Sequence, residues 1–318
     1  MAAPGGQTTR SVGGPLRALP IVLICGAVVA VAVTRTMNVE QRSTPARRSN
    51  AVFDVRANAV YVCPMDPDVR SNGPGRCRRC GMALVAGIPD PVEFHLDLTT
   101  SPDPPAPRQT TTLDFAVHDP WKDRPVHNFV VVHEKLFHAF VVSQDLNYFN
   151  HGHPVLQADG TFTFPVVLPT GGMFRVLGDF YPDGATPQLI TETLFVPGDA
   201  PPAAAVSRDY SAKSDRNLRV TLTTLPEQAT AATRTQMMFH IDPADGFEKY
   251  LGAWGHMLAA SDDLIDMIHL HPFRADGGDV QFNVVFPRPH PYRVWVQFQR
   301  LGVVNTVHFD VPVKEAPK

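Results

Sequence analysis

Cysteine is scarce in this chain, with four in 318 residues. Cys25 lies in an apolar run, and the other three cannot pair off completely, so a full disulfide framework is excluded. Charge is also sparse: Asp, Glu, Lys and Arg make up 19 % of the chain and the net charge is −3. The basic residues are dispersed apart from a short arginine-bearing linker, so nothing favours a nucleic-acid partner. Helix-period patterning is missing outside residues 18–33. No Ser/His/Asp arrangement, phosphate loop or Gly-rich dinucleotide fingerprint is present to support those chemistries.

Proline is plentiful, at 31 residues, and it punctuates short runs that alternate apolar and polar side chains. That combination predicts a mainly β chain. Residues 1–17 read as an N-terminal tail. Residues 18–34 begin with ALPIVLICGAVVAVAV, an uncharged stretch that reads as a transmembrane anchor with Arg17 and Arg35 at its ends. A cleaved secretory signal ending near Ala30-Val31-Ala32 is the alternative. Both readings put the bulk of the chain outside the cytoplasm, periplasmic and membrane-tethered or secreted. A linker (35–60) leads to a cysteine module (61–87). Two tandem β-sandwiches of immunoglobulin-like type follow, at 91–198 and 213–316, since about seven short strands per hundred residues is the pattern of that fold.

The second sandwich repeats the first. HAFVVSQDLNYFNHGHP (138–154) returns as HMLAASDDLIDMIHLHP (256–272), so His138, His151, His153 and Pro154 fall on His256, His269, His271 and Pro272, each 118 positions later. Ser143, Asp145, Phe164, Arg175 and Phe180 keep the same offset. Nearer the start of each unit the offset is 124, as from Phe115 to Phe239, so one copy carries a six-residue length difference (124 − 118). In a hairpin turning between residues 145 and 146, His138 faces His153, and with a turn one residue earlier it faces His151; either way the three share one face. Three neutral imidazoles converging there suit copper, zinc or nickel. Met257 and Met267 lean the second copy towards Cu(I). His127 and His133 accompany the first, and Asp145 and Asp263 are expected as outer acceptors to the rings. The plainer reading is a set of half-buried polar groups that fix a turn.

The cysteine module, YVCPMDPDVRSNGPGRCRRCGMALV, spaces Cys63, Cys77 and Cys80 as C-x13-C-x2-C. CRRCG reads as a metal knuckle with Gly81 folding the backbone beneath the ion. Met65, Asp66, Met82 or water would complete the ligand set. A Cys77–Cys80 disulfide or redox pair is the alternative. Tyr61, Cys63, Pro64, Met65, Pro67, Pro74, Gly75, Cys77, Cys80, Gly81, Met82 and Leu84 match the pattern of the heavy-metal-binding domain, which this stretch resembles. That domain occurs on periplasmic adaptors of metal-efflux systems and on copper-transporting P-type ATPases. Asp66 stands where the family has His, and Arg78 where it has Pro. Less specifically, residues 94–316 resemble the YtkA-like immunoglobulin-type domains, through HEKLFHAFVVSQDL…HGHP and its fainter copy.

These resemblances imply metal handling, and no defined reaction. The expectation is therefore a membrane-anchored, extracytoplasmic heavy-metal binder, copper first and zinc or nickel next, serving tolerance or delivery beside an efflux system. It is not expected to be an enzyme. A three-histidine metalloenzyme and a metal-free interaction module are the rivals.

Overall fold

In the computed structural model the described residues are 61–63, 69–71, 73–86, 93–120, 124–183, 185–203 and 205–316. The expected membrane segment and Met65 lie outside them. Among the described residues every regular element is a strand, and no helix is long and apolar enough to cross a membrane.

The cysteine module is a three-stranded sheet of β1 (Tyr61–Val62), β2 (Arg70–Ser71) and β3 (Val85–Ala86), in the order β2-β1-β3. In the first repeat the strands are β4 (His95–Ser101), β5 (Thr110–Asp119), β6 (Arg124–Pro125), β7 (Phe137–Ser143), β8 (Phe149–Gly152), β9 (Val155–Leu156), β10 (Phe162–Val167), β11 (Gly172–Phe180) and β12 (Gln188–Val196). They form one sheet ordered β4-β5-β10-β9, with β6 beside β5, and a second ordered β12-β11-β7-β8. The second repeat has β13 (Lys213–Asp215), β14 (Leu218–Leu225), β15 (Arg234–Asp242), β16 (Phe247–Glu248), β17 (His256–Ser261), β18 (Met267–Leu270), β19 (Arg274–Asp276), β20 (Asp279–Val285), β21 (Pro291–Arg300) and β22 (Val303–Pro312). Its sheets run β13-β14-β15-β20-β19 and β16-β21-β17-β18, with β22 on β21.

Each repeat closes as a two-sheet sandwich because alternate residues of both sheets are apolar and meet inside. Leu113, Phe115 and Phe162 from one sheet pack against Phe137, Val141 and Phe174 from the other. Phe239, Val280 and Phe282 pack likewise against Met257, Val294 and Phe298. Each fully buried ring of this kind contributes about 1.5–3 kcal/mol. This arrangement is consistent with immunoglobulin-like domains.

The six-residue difference sits in the first copy, between β5 and Phe129. By then the 118 offset has resumed: Phe129 bridges Pro182 where Phe247 pairs with Arg300. The apolar run FVVV (129–132) forms only isolated bridges, at Phe129 and Val132. His133 and Glu134 take φ values of 48° and 64°, which turn the chain instead of extending it.

A third apolar layer lies between the sandwiches. Phe140, Val142, Leu146 and Leu177 of the first repeat pack with Leu258, Ala260, Leu264 and Trp295 of the second. Phe149 and Trp295 stack at 5.1 Å between centroids. Arg293 Nη1 reaches across to donate to the Leu146 carbonyl at 3.0 Å. Strands β7 and β17 are therefore buried on both faces along their whole length. Their odd-numbered residues in the first repeat (Ala139, Val141) enter the sandwich core, while His138, Phe140 and Val142 look out towards the other repeat.

Candidate metal centres

The knuckle follows from its backbone. Gly81 N donates to the Cys77 carbonyl at 2.9 Å and Cys77 N to the Met82 carbonyl at 2.7 Å, with Gly81 at φ 75°. This tight reversal is easy for a residue without Cβ. It aims the amides of Arg79 and Cys80 at Cys77 Sγ, at 3.4 and 3.5 Å. Cys63 Sγ is 3.4 Å from Cys80 Sγ, far beyond the ~2.05 Å of a disulfide bond. None of the three cysteines is disulfide-bonded, against the alternative reading of the pair 77–80. All three sulfurs lie within 4.8 Å of one another. Three converging sulfurs with amide support fit a soft ion. Arg76 Nη1 donates to the Gly81 carbonyl at 3.0 Å. Met82 is 43 % exposed beside the knuckle.

The histidines come from paired strands. Phe140 pairs with His151 and Ala139 with Gly152, so the same register carries His138 opposite His153. Leu258 pairs with His269 and Met257 with Leu270, which sets His256 opposite His271. Strands β8 and β18 stop before Pro154 and Pro272, as a residue that cannot extend a ladder requires. The ligand atoms of His138, His151 and His153 lie within 4.8 Å of one another, and so do those of His256, His269 and His271.

Hydrogen bonds fix which nitrogen is bare in four of the six rings. Nε2–H of His138 donates to the Val132 carbonyl (3.1 Å), and Nε2–H of His256 to the Tyr250 carbonyl (3.0 Å). A carbonyl only accepts, so Nδ1 of both rings keeps a lone pair. Nδ1–H of His151 donates to Gln297 Oε1 (2.6 Å), while Gln297 Nε2 donates to Thr306 Oγ1 (3.0 Å). Nδ1–H of His269 donates to Asp179 Oδ2 at 2.5 Å. The bare His138 Nδ1 and His151 Nε2 then face each other at 3.2 Å, and His256 Nδ1 lies 3.0 Å from His271 Nε2. An ion at 2.0–2.1 Å from both members of such a pair would subtend roughly 95–105°, near the tetrahedral angle. Nε2 of His153 and of His269 are buried with no hydrogen-bond partner.

Burial keeps His138, His151, His153, His256 and His271 neutral. Desolvation pushes His138 and His153 down to about 4, His256 to about 3 and His271 to about 2, and holds His151 well below the usual imidazole range. The neighbouring imidazoles push the same way. At neutral pH no proton is available to sit between the facing nitrogens of His138 and His151.

The two triads occupy one chamber between the repeats. Rings His138 and His256 are 5.9 Å apart, His151 and His256 5.6 Å, and His151 and His269 6.1 Å. His133 closes the chamber from the first repeat, stacked on His271 at 3.7 Å. The signal for this meeting was in the sequence: LFHAFVVS is apolar at both parities, as a strand covered on both faces must be.

Several expected neighbours stand elsewhere. Asp145 accepts from Ser143 Oγ, and Asp263 from Ser261 Oγ at 2.6 Å, while the two serines accept from Tyr148 N and Asp266 N. These carboxylates staple the hairpin turns and do not support the rings. Met257 points into the sandwich core, away from His256, because adjacent strand residues face opposite sides. Met267 packs against the apolar layer between the repeats. Neither thioether therefore favours Cu(I) at the triads. His127 is exposed and lies over Gly160. The outer partners that sequence did not point to are the backbone carbonyls of Val132 and Tyr250, six residues before the rings they hold, and Asp179 and Gln297, which lie 90 and 146 residues from theirs. Asp262, Asp263 and His290 form a further donor cluster, in which Arg288 binds both oxygens of Asp263 at 2.8 Å.

No curated protein matches the chain. Among solved structures, FdeC, an Escherichia coli adhesin, is 14 % identical at a TM-score of 0.25, covering 78 % of this chain and 76 % of that one. A two-domain fibronectin type-III segment of chicken tenascin is 11 % identical at 0.21, covering 69 % and 99 %. Salmonella alpha-2-macroglobulin reacted with methylamine is 13 % identical at 0.25; 71 % of this chain is covered, yet it spans only 15 % of that protein's length. Similarities this faint carry no weight for function. Residues 60–86 match the heavy metal binding domain, and residues 91–193 and 212–315 each match the domain of unknown function DUF8832. The chain therefore belongs to the DUF8832 family, in a tandem arrangement that follows a heavy metal binding domain.

Proposed function

We propose that this protein is a membrane-anchored, extracytoplasmic binder of heavy-metal ions, copper first and zinc or nickel next, that serves metal tolerance or delivery without catalysing a reaction. One ion belongs at Cys63, Cys77 and Cys80, and up to two at the histidine triads. The observation that carries the triad half of this reading is the pair of bare nitrogens, His138 Nδ1 and His151 Nε2, facing each other at 3.2 Å. Two lone pairs so close, in rings too buried to protonate at neutral pH, repel unless a cation lies between them. The preference for copper rests on thiolate and imidazole donors, which first-row ions favour most strongly at Cu. The carboxylate that touches the chamber, Asp179, is engaged with His269 and is not a spare base, which counts against a three-histidine enzyme. A partner efflux system is the natural recipient of the cargo, and the apolar stretch 18–33 the anchor.

Elemental analysis of the purified full chain, equilibrated separately with copper, zinc and nickel, tests this. Replacing His138, His151 and His153 by Ala should remove about one equivalent, and replacing His256, His269 and His271 another, on the premise of one ion per triad. Unchanged stoichiometry in both variants would end the triad reading.

A further inference from the structure

The outer partners of the triads are exchanged between the repeats. His151 belongs to the first repeat and donates to Gln297 of the second; His269 belongs to the second and donates to Asp179 of the first. Asp179 and Gln297 occupy equivalent positions, 118 apart, each paired across its sheet with the first histidine of its own triad, His138 or His256. Neither triad is fully supported by its own sandwich. The two equivalent supports also differ in charge: Asp179 is a carboxylate and Gln297 a neutral amide.

We infer that the two triads work as a single two-ion centre with inequivalent halves, in which Asp179 makes His256, His269 and His271 the half that fills first and more tightly. This rests on the reading of the triads as metal sites. A carboxylate that accepts Nδ1–H makes its imidazole a stronger donor at Nε2, and such an outer partner is worth roughly 10–100-fold in metal affinity. Asp179 also adds the negative charge nearest to an ion at His269, whose side chain is only 1 % exposed. In such a setting charges interact strongly. Two cations in adjoining pockets repel, so the half with the carboxylate loads first and weakens the other. Asp179 and Gln297 are positioning residues, since each acts through a ring.

The test uses the full chain carrying Cys63→Ser, Cys77→Ser and Cys80→Ser, titrated with Zn²⁺ against a chromophoric chelator. Two ions should bind in two separated steps. Asp179→Asn, nearly isosteric, should weaken the tighter step roughly 10–100-fold. It should have the same effect when His138, His151 and His153 are all Ala, and little effect when His256, His269 and His271 are. Gln297→Glu should do the reverse, tightening the weaker step and drawing the two together. Equal shifts of both steps on Asp179→Asn, or no shift in either variant, would overturn the inference while leaving the triads as metal sites. Retention of two ions after loss of either triad would instead overturn the reading beneath it.

Discussion

The sulfur knuckle and the histidine chamber are opposite solutions to gathering soft donors. The knuckle draws all three cysteines from 18 residues of chain, on a sheet of two-residue strands with a core of Cys63, Val69 and Cys77 and little besides. A module so poor in apolar residues needs the ion as its staple. The chamber draws its rings from two sandwiches, each with a full core of its own, and its outer ligands from the opposite repeat. Its scaffold stands without metal, and its geometry is set by packing. On the proposed reading, an ion folds the first site, whereas folding builds the second.

The sharpest way to break that contrast is to strip the metal. Chelation, or Cys63→Ser, should abolish amide protection throughout residues 61–86, because structural sites of this kind hold about 10–16 kcal/mol of metal-binding free energy. Hydrogen exchange read in the same sample should leave β4–β12 and β14–β22 protected. If the knuckle stays protected without metal, the contrast collapses.

Next in size is the layer that joins the repeats. Trp295, 4 % exposed and stacked on Phe149, fills the space between the sheets. Trp295→Ala should cost about 3–5 kcal/mol in thermal or denaturant unfolding and weaken metal binding at both triads, leaving the knuckle's ion in place.

The chamber should also impose a pH dependence on the apo protein. His138, His153 and His256 titrate lower in the folded chain than the ~6.5 of an unfolded imidazole. The unfolded state therefore binds more protons below that value, and their stabilisation, complete above pH 6.5, is lost as pH falls towards 4. Each such group removes about 1.4 kcal/mol per pH unit in the window, seen as a falling melting temperature. Replacing the rings of one triad by Ala should flatten the slope.

The smallest effects come from residues that only looked like site members. Asp145→Ala should cost about 1 kcal/mol by releasing the Ser143 turn, with metal stoichiometry unchanged. His127→Ala should alter neither. A lost equivalent in either variant would redraw the site.

How much of this was legible follows the same division. The knuckle is a local motif, so Cys63, Cys77 and Cys80 could be read from their spacing and Gly81. The repeated H-x12-HxH-P gave the triads, since hairpin register is fixed by residues close in sequence. What could not be read was their encounter. Packing of β7 and β17 across the repeats depends on surfaces rather than spacing, and only the unbroken apolar character of 139–142 hinted at a covered outer face. Asp145 was assigned to the rings because it lay near them in sequence, while the true supports, Asp179 and Gln297, arrive through sheet pairing and the other domain. Met257 misled for a related reason: adjacency along a strand means opposite faces.

The lone pairs of imidazole nitrogens can be observed directly. Long-range ¹H–¹⁵N correlation spectra of the metal-free chain at neutral pH should show protonated Nε2 on His138 and His256, and protonated Nδ1 on His151 and His269. Added metal should then shift His138 Nδ1, His151 Nε2, His256 Nδ1 and His269 Nε2 and leave their protonated partners as they were. The opposite tautomers on His138 and His151, or nitrogens that stay unmoved when metal is added, would contradict the chamber as a metal centre.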